Sequence, residues 1–105
     1  MIVAIIPSYN PDKNFNNLLK LVKKNISHII VVDDGSIKPI KINIKNVTIL
    51  RNKTNKGKGY SLRRAFTYAE QHDFKSAITL DSDGQHDPIK IKNFILKDDN
   101  IDIVV

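Results

Sequence analysis

Residues 77–88 read AITLDSDGQHDP, and this stretch indicates the fold most directly. The apolar run at 77–80 predicts a buried strand, which places Asp81 and Asp83 where the strand ends. Two carboxylates one residue apart are unfavourable at a buried strand end unless a positive group lies between them. A divalent cation that carries a diphosphate would supply that charge. We therefore predict a nucleotide site at the end of this strand.

A second acidic pair follows another apolar run. Residues 29–32 are Ile-Ile-Val-Val, and Asp33 and Asp34 come directly after them. Residues 33–36, Asp-Asp-Gly-Ser, consist of turn-forming types and predict a loop. A carboxylate at such a strand end could accept hydrogen bonds from a base or a ribose, although an ordinary turn is an equal alternative.

Apolar runs and helical spacings alternate along the chain. The runs predict strands over residues 2–6, 29–32, 47–50, 77–80 and 101–105. Apolar residues three and four positions apart predict helices over 15–25 and 62–72, and a third helix beginning after a cap at Asp87. Residues 37–46 carry isoleucine at alternate positions, which fits either an exposed edge strand or an extended connector. Pro39 argues against a central strand there.

This order of elements predicts an α/β fold with a mostly parallel sheet that is covered on both faces. Parallel strands joined by right-handed crossovers end at one edge of the sheet. Loops 7–10, 33–36, 51–59 and 81–87 all follow strands, so we expect them to gather at that edge. Open α/β sheets bind their ligands there.

Composition limits the classes of protein to be considered. The chain has 105 residues and no cysteine, which excludes disulfides and thiolate metal sites and fits a reducing compartment. No apolar run is long enough to span a bilayer, so a cytoplasmic location is expected. The net charge is +6, from 17 Lys and Arg against 11 Asp and Glu. A basic surface attracts anions, but scattered lysines in an Ile-, Lys- and Asn-rich chain are equally typical of composition alone.

The sequence DSDGQ has the ligand chemistry of a hard cation. Mg²⁺ and Mn²⁺ prefer oxygen ligands and commonly keep substrate phosphates in their shell. Asp81 and Asp83 supply carboxylates, and Gln85 supplies an amide oxygen. The alternative is a solvated acidic turn that caps the next helix.

A glycine-rich basic segment, NKTNKGKGYSLRRA, spans residues 52–65. It matches neither the Walker pattern nor GxGxxG, because Leu62 stands where the third glycine belongs. A glycine-rich loop at a helix N-terminus still favours anions. Lys58, Arg63 or Arg64 could contact phosphate, with solvated surface as the alternative.

Four motifs in order resemble the glycosyltransferases of family 2. They are IIPSYN at 5–10, IIVVDDGS at 29–36, NKGKG at 55–59 and ITLDSDGQHDP at 78–88. The last is similar to the block found in polyprenyl- and dolichyl-phosphate sugar transferases. The resemblance implies the GT-A fold, a Rossmann-like three-layer α/β/α arrangement. It also implies an inverting transfer of a sugar from a UDP- or GDP-sugar donor to an acceptor, either a lipid phosphate or a glycan.

The resemblance also assigns residues to the donor site. Pro7 and Tyr9 match positions that line the nucleoside pocket, and Asp34, with Val32 beside it, matches the position that contacts the base. Asp81, Asp83 and Gln85 match the positions that hold Mg²⁺ or Mn²⁺ and the diphosphate. The remaining donor-binding residues implied are Asn10, Asp33, Lys58, Arg63 and Ser82.

The sequence departs from the family pattern in length. Family members continue well past the strand at 101–105, so residues 1–105 are expected to be the N-terminal, nucleotide-sugar-binding part of an incomplete domain. The general base and the acceptor-binding half are expected beyond Val105, and the chain is expected to be inactive by itself. Self-association through an uncovered sheet edge and a peripheral position at the cytoplasmic membrane face are further expectations.

Three other classes fit less well. A haloacid-dehalogenase-type phosphatase would use DxDG, but Gln85 does not fit the next position of that motif. A receiver-like or other non-catalytic nucleotide-binding α/β domain remains the alternative, although a receiver needs an aspartate after the third strand, where Leu50 and Arg51 stand. Nucleic acid is not an expected partner, because the chain has neither an aromatic-basic platform nor a recognition helix.

Overall fold

A computed structural model of the protein describes residues 1–82. The elements in this part are β1 (Ile2–Ser8), α1 (Phe15–Lys23), β2 (His28–Asp34), β3 (Val47–Asn52), α2 (Lys58–Gln71) and β4 (Ser76–Thr79). The helix predicted after Asp87 and the strand predicted over 101–105 lie outside the described residues.

The four described strands form one parallel sheet in the order β3-β2-β1-β4. Helix α1 connects β1 to β2, and α2 connects β3 to β4 in the opposite direction across the sheet. Right-handed crossovers in opposite directions place the two helices on opposite faces. The prediction of an α/β fold with a parallel sheet is confirmed. The strands that follow β1 in the chain, β2 and β3, lie on one side of it, and β4 lies on its other side. The direction of the connections therefore changes between β1 and β4, which is the switch point of the topology.

The core is formed by the two central strands and the inner faces of the helices. Residues 3–6 of β1 and 29–32 of β2 are almost completely buried. Helix α1 buries the apolar side chains whose spacing predicts the helix, which are Phe15, Leu18, Leu19 and Val22. Helix α2 packs on the sheet through small residues, Ser61, Ala65 and Ala69. Within residues 1–82, neither helix is long and apolar enough to cross a bilayer.

Strand β2 is longer than predicted, and the difference bears on function. Asp33 and Asp34 were predicted to lie in a loop, but both belong to the strand. They pair in parallel register with Arg51 and Asn52, which likewise belong to β3 and not to a loop. The prediction was wrong because an apolar run marks only the part of a strand that is buried among apolar neighbours. Polar partners extend the strand here.

Pro7 lies inside β1, although proline is usually excluded from central strands. The carbonyl of Ile5 accepts a hydrogen bond from the Leu80 amide, so residue 5 faces β4. Pro7 is two residues further along and faces the same side. The pairing between β1 and β4 ends at Ile5, so no ladder bond from residue 7 is required.

Residues 37–46 form a connector without regular structure, which agrees with one of the two predicted alternatives. Ile40, Ile42 and Ile44 are partly buried against the core, which accounts for the alternating pattern. The connector leaves β3 as an edge strand of the described sheet. Self-association through such an edge stays a prediction.

Gly35 provides a test of this packing. Its φ is +77°, and a Cβ there would lie 2.5 Å from the Asn55 nitrogen and 2.6 Å from the Thr54 carbonyl carbon. We expect Gly35→Ala to lower the free energy of unfolding by at least about 2 kcal/mol, because both the backbone conformation and the contact are unfavourable. Urea denaturation measures this change.

Gly59→Ala is the matched control, because Gly59 lies in α2 and its Cβ would meet only the flexible Arg63 guanidinium at 3.4 Å. Alanine there is expected to be neutral or to stabilise by up to about 1 kcal/mol. Equal losses in the two variants would contradict the close approach at Gly35.

Candidate functional site

The carboxyl ends of β1, β2 and β4 surround a cavity of about 270 Å³. It lies at the switch point between β1 and β4, the position at which open α/β sheets bind ligands. Its lining is Pro7, Ser8, Tyr9, Asp34, Lys58, Asp81 and Ser82. Two larger cavities, of about 490 and 410 Å³, lie beside α1 and beside α2. We assign the site to the smaller cavity, because two carboxylates, an ammonium group and an exposed aromatic ring converge on it. We call it the switch-point cavity.

Asp33 is completely buried and is held by three donors. Its Oδ1 accepts the Ser36 amide at 3.0 Å, and its Oδ2 accepts the Ile40 amide at 2.9 Å and Arg51 Nη1 at 2.6 Å. Arg51 Nη2 also donates to the Ser36 carbonyl at 3.0 Å. These bonds attach the connector that follows β2 to the end of β3.

Burial by itself would raise the pKa of Asp33, since it removes water from the charged carboxylate. Hydrogen bonds from Ile40, Ser36 and Arg51 act in the opposite direction and outweigh burial. The pKa of Asp33 therefore lies below its ordinary value of 3.8. The folded state consequently favours the ionised carboxylate, which is the form that can pair with Arg51.

Asp34 lines the switch-point cavity but is only 6% exposed. Its Oδ1 accepts Asn52 Nδ2 at 2.9 Å and the Lys56 amide at 2.7 Å, and its Oδ2 accepts the Gly57 amide at 3.0 Å. A carboxylate offers about four acceptor positions, so donors from residues 1–82 fill three of them and leave one open on Oδ2.

The glycine-rich segment is folded around Asp34. Gly57 has φ +93° and ψ 163°, a conformation that is essentially restricted to glycine. This conformation directs its amide to the carboxylate and begins α2. The amides of Lys56 and Gly57, which could have bound phosphate at a helix N-terminus, are thus used by a carboxylate of the chain itself.

Lys58 faces the end of β4 across the switch-point cavity. Its Nζ lies 3.0 Å from Asp81 Oδ1, and 60% of the lysine side chain and 47% of the aspartate side chain are exposed. An exposed pair of this kind contributes little to stability. Both groups can therefore exchange partners when a charged ligand enters.

The structure brings together a majority of the residues predicted to bind the donor. Those that line the switch-point cavity are Pro7, Tyr9, Asp34, Lys58, Asp81 and Ser82. Tyr9 is 51% exposed, so one face of its ring is open to a ligand. Of the predicted metal ligands, Asp83 and Gln85 lie outside the described residues. Within residues 1–82 no group of three His, Cys, Asp or Glu side chains could hold a metal ion.

Four predicted residues lie elsewhere. Val32 and Asp33 are fully buried in the sheet. Asn10 lies beside the 490 Å³ cavity, where its backbone N–H donates to Ser36 Oγ at 2.8 Å. Arg63 lines the 410 Å³ cavity on α2. Ligand contacts by these four residues stay predictions.

Sequence reasoning missed the buried polar cluster beneath Asp34. Asn52 Nδ2 donates to Ser61 Oγ at 3.0 Å as well as to Asp34, and Arg64 Nη1 donates to Asn52 Oδ1 at 2.9 Å. The sequence predicts that Arg64 contacts phosphate or is simply solvated, and it gives no indication that this exposed side chain reaches Asn52. The one signal in the sequence is that a polar pair follows each of two predicted strands directly, Asp33-Asp34 in one case and Arg51-Asn52 in the other. That the two pairs meet depends on the register between β2 and β3.

Comparison with known families decides the assignment. The sequence profile of glycosyl transferase family 2 matches residues 3–105. The chain belongs to glycosyl transferase family 2. The resemblance stated from the four motifs is thereby confirmed, and the parallel sheet with its switch-point cavity agrees with the α/β fold expected of this family.

Three relatives of this family 2 chain are informative. Two are uncharacterized proteins of Methanocaldococcus jannaschii, MJ0544 and MJ1222, which are 34% and 35% identical over 97% and 90% of the chain. The third is the UDP-N-acetylglucosamine–dolichyl-phosphate N-acetylglucosaminyltransferase of Methanococcus voltae, which is 30% identical over 90% of the chain. The chain spans 49%, 40% and 46% of the length of these relatives, respectively. No solved structure matches it significantly.

The Asp33 contacts of this family 2 chain predict an acid-dependent stability. Unfolded Asp33 ionises near 3.8, and folded Asp33 ionises lower, so its contribution is present above that pH and is lost as the pH falls towards the folded pKa. We expect Asp33→Asn to lower the free energy of unfolding by about 1–3 kcal/mol at neutral pH, because the asparagine NH₂ group replaces an acceptor oxygen and leaves a backbone donor without its partner. Below the pKa of unfolded Asp33, the difference in free energy of unfolding between Asp33→Asn and wild type should become smaller.

Urea denaturation from about pH 7 to about pH 3 measures both effects. Asp73→Asn, which changes an exposed carboxylate, is the control and should leave the shape of the pH curve unchanged. A difference in free energy of unfolding between Asp33→Asn and wild type that stays constant through the acid range would contradict the stabilising role of the ionised Asp33 carboxylate.

Proposed function

We propose that this chain is the donor-binding part of a metal-dependent, inverting glycosyltransferase that binds a UDP- or GDP-sugar in the switch-point cavity. The observation that supports this most strongly is the convergence of Tyr9, Asp34, Lys58 and Asp81 on one cavity in a family 2 chain. These side chains come from four separate segments. Each supplies a contact that a different portion of a nucleotide sugar requires.

The nucleoside would lie between Tyr9 and Asp34. The half-exposed Tyr9 ring offers a surface on which a base can stack. Asp34 has one remaining acceptor position, on Oδ2, and therefore suits a single N–H or O–H donor of the base or ribose. The surrounding hydrogen bonds hold this carboxylate before the ligand arrives, which reduces the entropy lost on binding.

The diphosphate would lie between Lys58 and Asp81. Lys58 provides a positive charge beside the cavity, and its ammonium can make a charge-assisted hydrogen bond to an anion. The amides of Lys56 and Gly57 before α2 are not part of this contact, since both are already bound to Asp34. Entry of a diphosphate would draw the Lys58 ammonium from Asp81 to a phosphate oxygen.

Asp81 has the chemistry of a ligand for a hard cation, since it is a half-exposed carboxylate at a strand end beside the cavity. We propose that Asp81, Asp83 and Gln85 would hold Mg²⁺ or Mn²⁺. When bound, such a cation neutralises charge on the departing diphosphate. Lys58 would then share the diphosphate with the metal and no longer be needed as the partner of Asp81.

The classes of donor and acceptor are suggested by one of the relatives. The Methanococcus voltae relative is named for a UDP-linked donor and a dolichyl-phosphate acceptor. We propose the same classes for the whole protein here, with a polyprenyl phosphate preferred to a glycan as acceptor, at the cytoplasmic face of a membrane. Because the chain spans less than half of its relatives, we place the acceptor site and the general base outside these residues. The chain alone should bind the donor without transferring the sugar.

Isothermal titration calorimetry of the chain with UDP and GDP, with and without Mn²⁺, tests this proposal. We expect metal-dependent binding of at least one of the two. Lys58→Met should raise the dissociation constant about tenfold, because a charge-assisted hydrogen bond to phosphate is lost. Asp81→Asn should remove most of the dependence on the metal.

Lys75→Met is the matched control. It removes an exposed lysine just before β4, at the amino ends of the strands and therefore away from the cavity at their carboxyl ends. It should bind like wild type. Absence of nucleoside diphosphate binding, or equal losses in Lys58→Met and Lys75→Met, would overturn the proposed site.

A further inference from the structure

Asn52 does not line the switch-point cavity, but it donates a hydrogen bond to Asp34, which does. It ends β3, is 3% exposed and pairs in register with Asp34 on the neighbouring strand. A buried amide in this position needs partners for its two N–H groups and its oxygen. The identity of those partners shows what the side chain does.

All the hydrogen-bonding groups of the Asn52 amide are used. Nδ2 donates to Asp34 Oδ1 at 2.9 Å and to Ser61 Oγ at 3.0 Å, and Oδ1 accepts Arg64 Nη1 at 2.9 Å. The guanidinium fixes which way the amide points, because Arg64 can only donate. A flipped amide would set its oxygen against the Asp34 carboxylate and its NH₂ against the guanidinium. Arg64 is itself anchored, since Nη1 also donates to the Arg51 carbonyl at 2.6 Å.

We propose that Asn52 is a positioning residue for donor binding, which orients the Asp34 carboxylate in the switch-point cavity, and that Arg64 fixes the Asn52 amide for this purpose. The inference rests on the proposed function of that cavity. Neither side chain would touch the ligand. They would affect donor binding only by fixing the orientation of the Asp34 carboxylate.

The geometry around Asp34 explains why the carboxylate needs this support. The amides of Lys56 and Gly57 both come from the loop before α2, and they approach different oxygens. Asn52 is the side-chain donor to Asp34 that comes from the sheet. Without it the orientation of Asp34 depends on the loop alone. The free acceptor position on Oδ2 would then no longer be fixed relative to Tyr9 and Lys58.

A purely structural role is the competing explanation, in which Asn52 only joins β3 to α2. Ser61 helps to distinguish a structural role from a positioning role, because its completely buried hydroxyl is one of two links from Asn52 to α2, the other being Arg64. Ser61→Ala removes that link but keeps the bond from Asn52 to Asp34. It is therefore the matched control for Asn52→Ala.

The experiment is a double-mutant cycle on UDP and GDP binding, measured by titration with Mn²⁺ present, with urea denaturation of every variant. We expect Asn52→Ala to weaken binding about tenfold in the wild-type background and less than twofold in an Asp34→Asn background. The reason is that Asn52 acts only through the Asp34 carboxylate. Ser61→Ala should bind within about twofold of wild type even where its stability falls by a similar amount.

Three results would overturn the inference while leaving the proposed function intact. The first is that Asn52→Ala binds as tightly as wild type when Asp34→Asn binds weakly. The second is a tenfold loss from Asn52→Ala in both backgrounds, and the third is an equal loss from Ser61→Ala. The last two are the behaviour of a structural residue. A wild-type chain that binds neither nucleotide would instead refute the proposed function itself. If Asn52→Ala does not fold, Arg64→Met takes its place in the same cycle, with a smaller loss that also disappears in the Asp34→Asn background.

Discussion

The structure depends on one constraint: two adjacent carboxylates, Asp33 and Asp34, are buried at the end of a central strand. Successive side chains of a strand point to opposite faces of the sheet. Each carboxylate therefore needs its own set of donors, and each has three. Asp33 takes them from the connector after β2 and from Arg51. Asp34 takes them from Asn52 and from the loop before α2. Burial of two unpaired charges would be prohibitive, so these contacts decide where both loops lie.

This constraint also shapes the switch-point cavity. Asp34 holds the loop that carries Lys58, and Lys58 reaches across to Asp81 at the end of β4. One side of the cavity is therefore rigid and nearly buried, whereas the other is an exposed ion pair that can rearrange. A site of this kind suits a ligand with a flat group that needs fixed contacts and a charged group that exchanges with existing ions. A nucleoside diphosphate combines these two features.

Much of this could be predicted from the sequence, and the remainder could not for identifiable reasons. Apolar runs such as 29–32 predicted the strands, and the spacing of Phe15, Leu18, Leu19 and Val22 predicted α1. The motifs identified the family, and six of the ten residues predicted to bind the donor line the switch-point cavity. The strand ends were missed because Asp33, Asp34, Arg51 and Asn52 carry no apolar signal. Their place depends on the register between β2 and β3, which no local pattern encodes. For the same reason the sequence does not indicate that the exposed side chains of Arg51 and Arg64 donate to Asp33 and Asn52 at the buried strand ends.

Backbone amide chemical shifts would show whether a nucleoside diphosphate binds at the carboxyl ends of β1, β2 and β4, as we propose. UDP or GDP would be titrated with Mg²⁺ into isotopically labelled chain, and the shift changes mapped on the sheet. We expect the largest changes at Tyr9, Asp34, Lys58 and Ser82, and small changes at Thr67 and Gln71, which line the 410 Å³ cavity beside α2. Changes concentrated at Thr67 and Gln71, or no changes at saturating nucleotide, would contradict this proposal.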